Sequence, residues 1–218
     1  MEKHTDISLP LLLRTFSFDE HSIQLYIPDP QAVKKQYQLQ KETDSNTPFP
    51  YWAKIWPAAL AMATFLVQHP AYIENKKVLE LAAGLGLPSL IAARYAREVC
   101  CSDYIAEAVA IAKRSAAYNK FTNIYGAVLD WHYLPQSLSA DILLLSDINY
   151  DPAAFETLYT VLTGFLQKGT TIILSTPQRL MAKSFVERLL PWRIQQQEIA
   201  MPYTEQMVVI SILVLKVN

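Results

Sequence analysis

The sequence predicts an α/β fold in which a mostly parallel sheet carries helices on both faces. Apolar strand-like runs alternate with helical segments from residue 77 onward, and the last two strand-like runs have no helix between them. The alternation implies right-handed crossovers between parallel strands, whereas the directly connected final pair implies an antiparallel hairpin. Composition agrees, because 51% hydrophobic and 18% charged residues in a chain of 218 can form one full core.

The first part of the chain differs from the rest. Residues 12–29, LLRTFSFDEHSIQLYIPD, alternate apolar and polar residues around a turn-like DEHS and predict a hairpin or two short strands. Residues 31–50 are polar, end in prolines and predict a short helix followed by a loop. We therefore expect an N-terminal extension over residues 1–47 and one domain over residues 48–218.

Each element of this domain follows from its local pattern. Residues 57–70, PAALAMATFLVQHP, suit a helix that has Pro57 at its first position and ends before Pro70. Short apolar runs predict seven strands, at residues 77–83, 98–103, 123–131, 140–147, 170–176, 192–201 and 205–217. Apolar residues at three-to-four spacing predict helices at residues 86–96, 105–120, 152–167 and 178–190.

An acidic residue lies near the end of each of the first four strands of the domain. These acids are Glu80, Asp103, Asp130 and Asp147, and Glu80 is followed by a small-residue loop, AAGLG. Ligands of open α/β sheets bind beyond the carboxyl ends of the strands. A single acid often caps the next helix, but four in series beside a glycine loop favour a ligand site.

The spacing within this region favours a nucleoside without phosphates. An acid about 20 residues after a glycine turn can bind ribose hydroxyls, and Asp103 has that position. The dinucleotide pattern G-x-G-x-x-G is incomplete, because its last glycine is replaced by Ser89. A dehydrogenase is therefore a weaker interpretation.

Other classes of function are disfavoured by composition. The net charge of −1 argues against a broad nucleic-acid-binding surface, and no apolar run reaches the ~18 residues of a membrane span. The start of the chain has no secretory cleavage pattern, and the two cysteines are the neighbours Cys100 and Cys101, so we expect a cytoplasmic protein without a disulfide. The histidines are scattered without ligand spacing, so no metal site is expected.

Several motifs together resemble a known family. The loop ELAAGLG is similar to the glycine loop of class I, seven-stranded, S-adenosylmethionine-dependent methyltransferases, and the C-terminal hairpin strand is typical of that Rossmann-like, three-layer fold. The segments PYWAKIWPAALAMATFL, VLDWHYLP, LSDINYDPAAFETL and LSTPQR resemble the branch of that family that methylates lysine or arginine in proteins. The resemblance runs from about residue 48 to the C-terminus, and the family usually has glycine where this chain has Ala82.

The resemblance implies roles for individual residues. Glu80 would lie near the amino group of the methionine part of S-adenosylmethionine, Asp103 would bind the ribose, and Asp130 would reach the adenine amino group. The other implied cofactor-binding residues are Trp56, Ala82, Ala83, Gly84, Gly86, Trp131 and Ser146. The implied catalytic residues are Asp147, which would orient the target nitrogen, and Tyr150, which would contact its cationic side chain.

The resemblance implies methyl transfer to a protein side chain, with S-adenosylhomocysteine as the product. Lysine is favoured over arginine, although LSTPQR resembles the arginine branch. A small-molecule N-methyltransferase on the same fold and a binding protein without turnover are the alternatives. A nucleic-acid methyltransferase is disfavoured, because SDINYD replaces its Asn-Pro-Pro-Tyr type of motif. The target protein, the number of methyl groups and the oligomeric state do not follow from the sequence.

Overall fold

The computed structural model describes residues 7–217, so the first six residues of the predicted extension, with His4, lie outside the described part. The strands are β1 (Leu11–Phe18), β2 (His21–Pro28), β3 (Lys77–Glu80), β4 (Glu98–Asp103), β5 (Ile124–Val128), β6 (Ile142–Ser146), β7 (Thr171–Pro177), β8 (Arg193–Tyr203) and β9 (Gln206–Leu215). The helices are α1 (Pro30–Thr43), α2 (Pro57–Gln68), α3 (Leu87–Ala92), α4 (Ala106–Tyr118), α5 (Phe155–Gln167) and α6 (Lys183–Leu189).

The main sheet has seven strands in the order β5-β4-β3-β6-β7-β9-β8. The five strands from β3 to β7 pair in parallel, and β9 is inserted antiparallel between β7 and β8. The predicted seven-stranded, mostly parallel fold with an antiparallel C-terminal hairpin strand is therefore confirmed. The strand order reverses between β3 and β6, and ligands of open α/β sheets bind at such a switch point.

Several elements are shorter than the sequence predicts. The helix predicted at residues 86–96 ends at Ala92 and continues as a turn, and the strand predicted to reach Trp131 ends at Val128. Trp131 instead begins a short 3-10 turn that Asp130 caps. The final turn comes later than predicted, at Thr204 and Glu205, because β8 continues past Pro202 to Tyr203.

The sheet separates two apolar clusters. One lies against α2, α3 and α4, and the other against α5 and α6. Successive side chains of a strand point to opposite faces, so the neighbours Cys100 and Cys101 face away from each other. Both thiols are buried and free, and Cys100 belongs to the α5 cluster. Cys101 lies on the other face, where its Sγ is 2.7 Å from the position that a Cβ on Gly86 would take.

The predicted N-terminal hairpin is β1 and β2, joined at Asp19 and Glu20. It lies against α4, where the Tyr26 N–H donates to Ser115 Oγ at 3.0 Å and the Gln24 N–H donates to Asn119 Oδ1 at 3.0 Å. Its buried residues belong to the same apolar cluster as α2 and α4. The boundary between residues 47 and 48 stays a prediction. Among the described helices, none combines the length and apolar character that crossing a membrane requires.

Candidate functional site

One cavity opens at the carboxyl ends of β3, β4 and β6, where the sequence predicts a ligand. The segment that precedes α2 closes one side of it, and the turn at Trp131 contributes to its wall. The cavity is lined by Phe49, Tyr51, Trp52, Lys54, Ile55, Trp56, Ala59, Ala82, Ala83, Gly84, Leu85, Leu87, Asp103, Tyr104, Trp131, Ser146, Asp147, Ile148, Tyr150 and Arg179.

The loop after β3 has three left-handed residues. Gly84 and Gly86 have φ values of 52° and 75°, and Ala82 has a φ of 53°. Ala82 therefore occupies a conformation that glycine adopts without strain and that alanine adopts only at an energetic cost. A Cβ on Gly84 would lie 3.2 Å from the backbone oxygen of Trp52, so glycine also lets the segment before α2 approach the loop closely.

Asp103 ends β4 and links that strand to the loop. Its Oδ2 accepts the Gly84 N–H at 2.8 Å, and its Oδ1 accepts the Ile105 N–H at 3.0 Å. Asp103 is 4% exposed, and burial raises the pKa of its carboxyl. Each carboxylate oxygen can accept a further hydrogen bond, so Asp103 keeps acceptor capacity on the cavity side.

Asp147 directly follows β6 and is paired with Arg179, which follows the end of β7. The two terminal nitrogens of Arg179 donate to the two carboxylate oxygens of Asp147, with an Nη2–Oδ2 distance of 3.1 Å. The side chains of Asp147 and Arg179 are 10% and 29% exposed. Asp147 also has a positive φ of 59°, and its N–H donates to the Ser175 oxygen at 2.9 Å.

Aromatic rings surround the mouth of the cavity. The ring centroid of Tyr51 lies 5.2 Å from that of Tyr150 and 5.9 Å from that of Trp56. The Lys54 ammonium lies 4.7 Å from the ring centroids of both Trp56 and Tyr203. Burial and the neighbouring tyrosines raise the pKa of Tyr150, so its hydroxyl is protonated at neutral pH.

Nine predicted site residues line this cavity together, and three do not. The lining residues are Trp56, Ala82, Ala83, Gly84, Asp103, Trp131, Ser146, Asp147 and Tyr150. Glu80 lies below the loop, where its carboxylate accepts the N–H and the hydroxyl of Ser89 in α3. The Asp130 carboxylate accepts hydrogen bonds from the backbone N–H and the ring Nδ1 of His132, and its side chain is 45% exposed. Gly86 is the N-cap of α3.

The sequence analysis missed two cationic residues of the site. These residues are Arg179, in the segment LSTPQR, and Lys54, in the segment PYWAKIWP. Arg179 follows the fifth strand end of the same sheet edge, so the rule that identified Asp103 and Asp147 also applies to it. Within residues 7–217, no three histidine, cysteine, aspartate or glutamate side chains lie close enough together to hold a metal ion.

A comparison with protein families shows which family the chain belongs to. The profile described as lysine methyltransferase matches residues 34–191, which is most of the chain and includes the whole of the glycine loop and the Asp147 segment. The chain belongs to the lysine methyltransferase family. The chain is therefore an S-adenosylmethionine-dependent methyltransferase.

The names of the relatives specify different methylated amino acids, arginine in some and lysine in others. The chain is 29% identical over 143 residues to the histone-arginine methyltransferase METTL23 of Homo sapiens, a match that covers 62% of this chain and 75% of that protein. It is 32% identical over 135 residues to the electron transfer flavoprotein beta subunit lysine methyltransferase of Danio rerio, which covers 61% of this chain and 52% of that enzyme. Matches to several other relatives also span only about half of their length.

Solved structures of low sequence identity share the fold of this lysine methyltransferase family member. The 16S rRNA N2 G1207 methyltransferase RsmC of T. Thermophilus has a TM-score of 0.64 at 15% identity, and the match covers 97% of this chain and 51% of that one. A putative RNA methyltransferase, PH1948 from Pyrococcus horikoshii, has a TM-score of 0.60 at 19% identity, over 85% of this chain and 98% of that chain.

The cavity of this lysine methyltransferase family member fits S-adenosylmethionine. Ser146 lines the cavity, and its Oγ is buried without a hydrogen-bond partner among residues 7–217. The Asp103 carboxylate suits ribose hydroxyls, and the indole of Trp131 offers a flat apolar surface to a base. A carboxylate edge and an apolar wall are thus present in one cavity.

Proposed function

We propose that this enzyme transfers a methyl group from S-adenosylmethionine to a nitrogen of a protein side chain, lysine in preference to arginine. The observation that carries the proposal is that Asp147 and Tyr150 line the same cavity as Asp103 and the glycine loop. One cavity thus offers a nucleoside-binding edge and, beside it, a carboxylate and aromatic rings suited to a cationic side chain. The names of the relatives, which specify lysine in one case and arginine in another, support a protein target.

The cofactor-binding half of the cavity divides into three parts. Ala82, Ala83 and Gly84 would lie along the methionine part, Asp103 would accept hydrogen bonds from the ribose, and Trp131 would pack against the adenine. The remaining residues that we propose to line the cofactor are Trp56 and Ser146. Bound S-adenosylmethionine would supply an electrophilic methyl group on a sulfonium and leave as a neutral thioether.

The predicted cofactor roles of Glu80, Gly86 and Asp130 receive less support. In Glu80 both hydrogen bonds from Ser89 end on Oε2, and in Asp130 both contacts with His132 end on Oδ1, so each side chain keeps a second carboxylate oxygen, but neither residue lines the cavity. Gly86 is better suited to shape the start of α3. These three roles stay predictions.

The target-binding half would hold the nitrogen in line with the methyl group. Asp147 would orient the nitrogen, and the rings of Tyr150 and Tyr51 would contact the alkyl chain and any positive charge on it. A lysine amine must be neutral to react, whereas its ordinary pKa is about 10.4. Alignment of a good leaving group and a nucleophile is the main task of such a site.

Labelling followed by amino-acid analysis tests this function. The enzyme is incubated with radiolabelled S-adenosylmethionine and a protein extract, and the hydrolysed protein is resolved into methyl-lysine and methylarginine. We expect labelled methyl-lysine that survives nuclease treatment. Label in nucleic acid, or in small molecules alone, would contradict the proposal.

A pair of isosteric variants tests the target-binding half. Asp147→Asn should lower the turnover of labelled protein far more than the affinity for S-adenosylmethionine. Asp151→Asn is the matched control, because the Asp151 carboxylate caps the Ala153 N–H outside the cavity lining and asparagine caps equally well. Equal losses of turnover and of cofactor affinity in Asp147→Asn would contradict a target-facing role.

A further inference from the structure

Strand β9 exposes part of the sheet face that α6 covers elsewhere. Leu213 and Leu215 of this strand are buried in the apolar cluster against α5 and α6. Side chains two positions apart along a strand share a face, so Val209 and Met207 continue the same face toward the start of β9. They are 42% and 63% exposed, so α6 leaves these two side chains open to solvent.

The neighbouring strand extends this exposed face. Ala200 and Pro202 of β8 pair with Val209 and Met207 of β9. Residues directly opposite each other in an antiparallel pair share a face, and both Ala200 and Pro202 are exposed. The tip of the C-terminal hairpin therefore presents four exposed apolar residues on one face.

A groove joins this face to the turn that precedes α6. Leu180 and Ser211 both line the groove, and Ser211 precedes Leu213 on the same face of β9. Leu180 and Met181 belong to a 3-10 turn and are 87% and 53% exposed. The name apolar surface is used here for Leu180, Met181, Ala200, Pro202, Met207 and Val209. An exposed apolar patch of this kind marks an interaction site on a soluble protein.

The apolar surface adjoins the candidate active-site cavity at two points. Arg179, the neighbour of Leu180, lines both the cavity and the groove. At the hairpin tip, Tyr203 follows Pro202, and its ring and hydroxyl contact Lys54 of the cavity lining. A protein side chain that enters the cavity brings the residues beside it against whatever borders the mouth. The apolar surface therefore lies where the rest of a protein target would lie.

The charges of the groove favour an apolar partner. Its charged lining residues are Arg179, Lys183 and Glu187. Lys183 Nζ lies 3.9 Å from Glu187 Oε1, and Arg179 is paired with Asp147. The groove thus has no field of a single sign, which argues against nucleic acid or a highly charged segment as its partner.

We propose that the apolar surface binds an apolar segment of the target protein, next to the side chain that is methylated. This inference rests on the proposed function and goes beyond it, because it assigns recognition of the target to residues outside the cavity. The segment would leave the cavity mouth beside Arg179, pass over Leu180 and cross the groove toward Val209 and Met207.

The test compares four proteins by their initial rates of methyl transfer at increasing concentrations of a cell extract, with radiolabelled S-adenosylmethionine. The rate is measured for the most strongly labelled protein after electrophoresis. The four proteins are the unmodified enzyme, Leu180→Gln, Met207→Gln and Leu13→Gln. Leu13 is the matched control, because it is an exposed leucine of the β1–β2 hairpin, whose buried residues belong to the other apolar cluster.

Three further measurements accompany the rates. Thermal unfolding and calorimetry with S-adenosylmethionine establish that each variant is folded and binds the cofactor, and sedimentation velocity gives its oligomeric state. We expect Leu180→Gln and Met207→Gln each to raise the half-saturating extract concentration about tenfold, because each removes one apolar side chain from the contact. The maximal rate and the affinity for S-adenosylmethionine should stay unchanged, since neither residue lines the cavity. Leu13→Gln should behave as the unmodified enzyme does.

Three results would overturn the inference while leaving the proposed function intact. The first is an unchanged half-saturating concentration in both variants of the apolar surface. The second is a lower maximal rate alone, which would assign these residues to the reaction step instead of target binding. The third is a dimer of the unmodified enzyme that dissociates in both variants, because a second copy would then cover the surface. Absence of labelled protein with all four enzymes, despite S-adenosylmethionine binding, would overturn the proposed function and this inference with it.

Discussion

The carboxylate of Asp103 holds the backbone N–H of Gly84 at 2.8 Å, so the end of one strand fixes the loop that follows its neighbour. The same carboxylate is our candidate for binding the ribose. Asp103→Ala should therefore weaken S-adenosylmethionine binding by about 1.5–3 kcal/mol for each charge-assisted hydrogen bond lost, or at least roughly tenfold. Titration calorimetry measures this loss.

Asp103→Asn separates the two roles of this residue. Its amide oxygen can still accept the Gly84 N–H, while the charge that strengthens ribose hydrogen bonds is removed. We expect a smaller loss of cofactor affinity than in Asp103→Ala, and a free energy of unfolding lower by about 1 kcal/mol, because the amide NH2 group cannot accept the Ile105 N–H. Unchanged affinity in both variants would rule out the ribose assignment.

The left-handed conformation of Ala82 predicts a stabilising substitution. Ala82→Gly should raise the free energy of unfolding by about 0.5–1 kcal/mol, because glycine adopts a φ of 53° without steric strain. Ala83→Gly is the matched control, since Ala83 does not have a positive φ and glycine there adds only conformational entropy to the unfolded chain. Urea denaturation should show that the free energy of unfolding rises in Ala82→Gly and falls in Ala83→Gly. A loss of stability in Ala82→Gly would contradict backbone strain at Ala82.

Gly86 and Gly164 form a second informative pair. A Cβ on Gly86 would approach Cys101 Sγ to 2.7 Å and Ala112 Cβ to 3.1 Å, at a φ of 75°. Gly86→Ala should therefore destabilise the fold by about 2 kcal/mol or more. Gly164 lies within α5 with no atom near its Cβ position, so Gly164→Ala should stabilise by about 0.5–1 kcal/mol. Similar thermal shifts in the two variants would be inconsistent with this difference in environment.

Glu80 predicts a pH dependence of stability. Burial raises the pKa of this carboxyl from 4.5 to about 8, despite the hydrogen bonds from Ser89. The folded state therefore retains a proton that the unfolded chain loses, and the free energy of unfolding should fall between about pH 4.5 and pH 8 by on the order of a few kcal/mol.

Glu80→Gln should reduce this fall, since glutamine does not titrate and its amide oxygen can still accept the Ser89 hydrogen bonds. Urea denaturation of both proteins at several pH values between 5 and 8 measures the difference. Parallel pH profiles for the two proteins would mean that another group controls the dependence.

Strand-end reasoning predicted that Asp103 and Asp147 lie close together, but it did not predict what each side chain contacts. Asp103 and Asp147 lie in one cavity because parallel strands bring their carboxyl ends to one edge, which follows from the alternating pattern alone. The Asp147–Arg179 pair joins residues 32 positions apart, and no local pattern specifies it. Glu80 and Asp130 instead accept nearby backbone N–H groups. Capping of this kind is the simpler interpretation of a single acid at a strand end.

The opposed side chains of Cys100 and Cys101 provide a natural reporter of conformational opening. Each thiol is buried in a different layer of the molecule, and burial raises the pKa of both, so neither forms a reactive thiolate readily in the folded state. A thiol reagent would therefore modify them at the rate at which β4 becomes exposed. Because they lie in different layers, their relative labelling rates would distinguish separate opening of one layer from cooperative unfolding of the whole sheet.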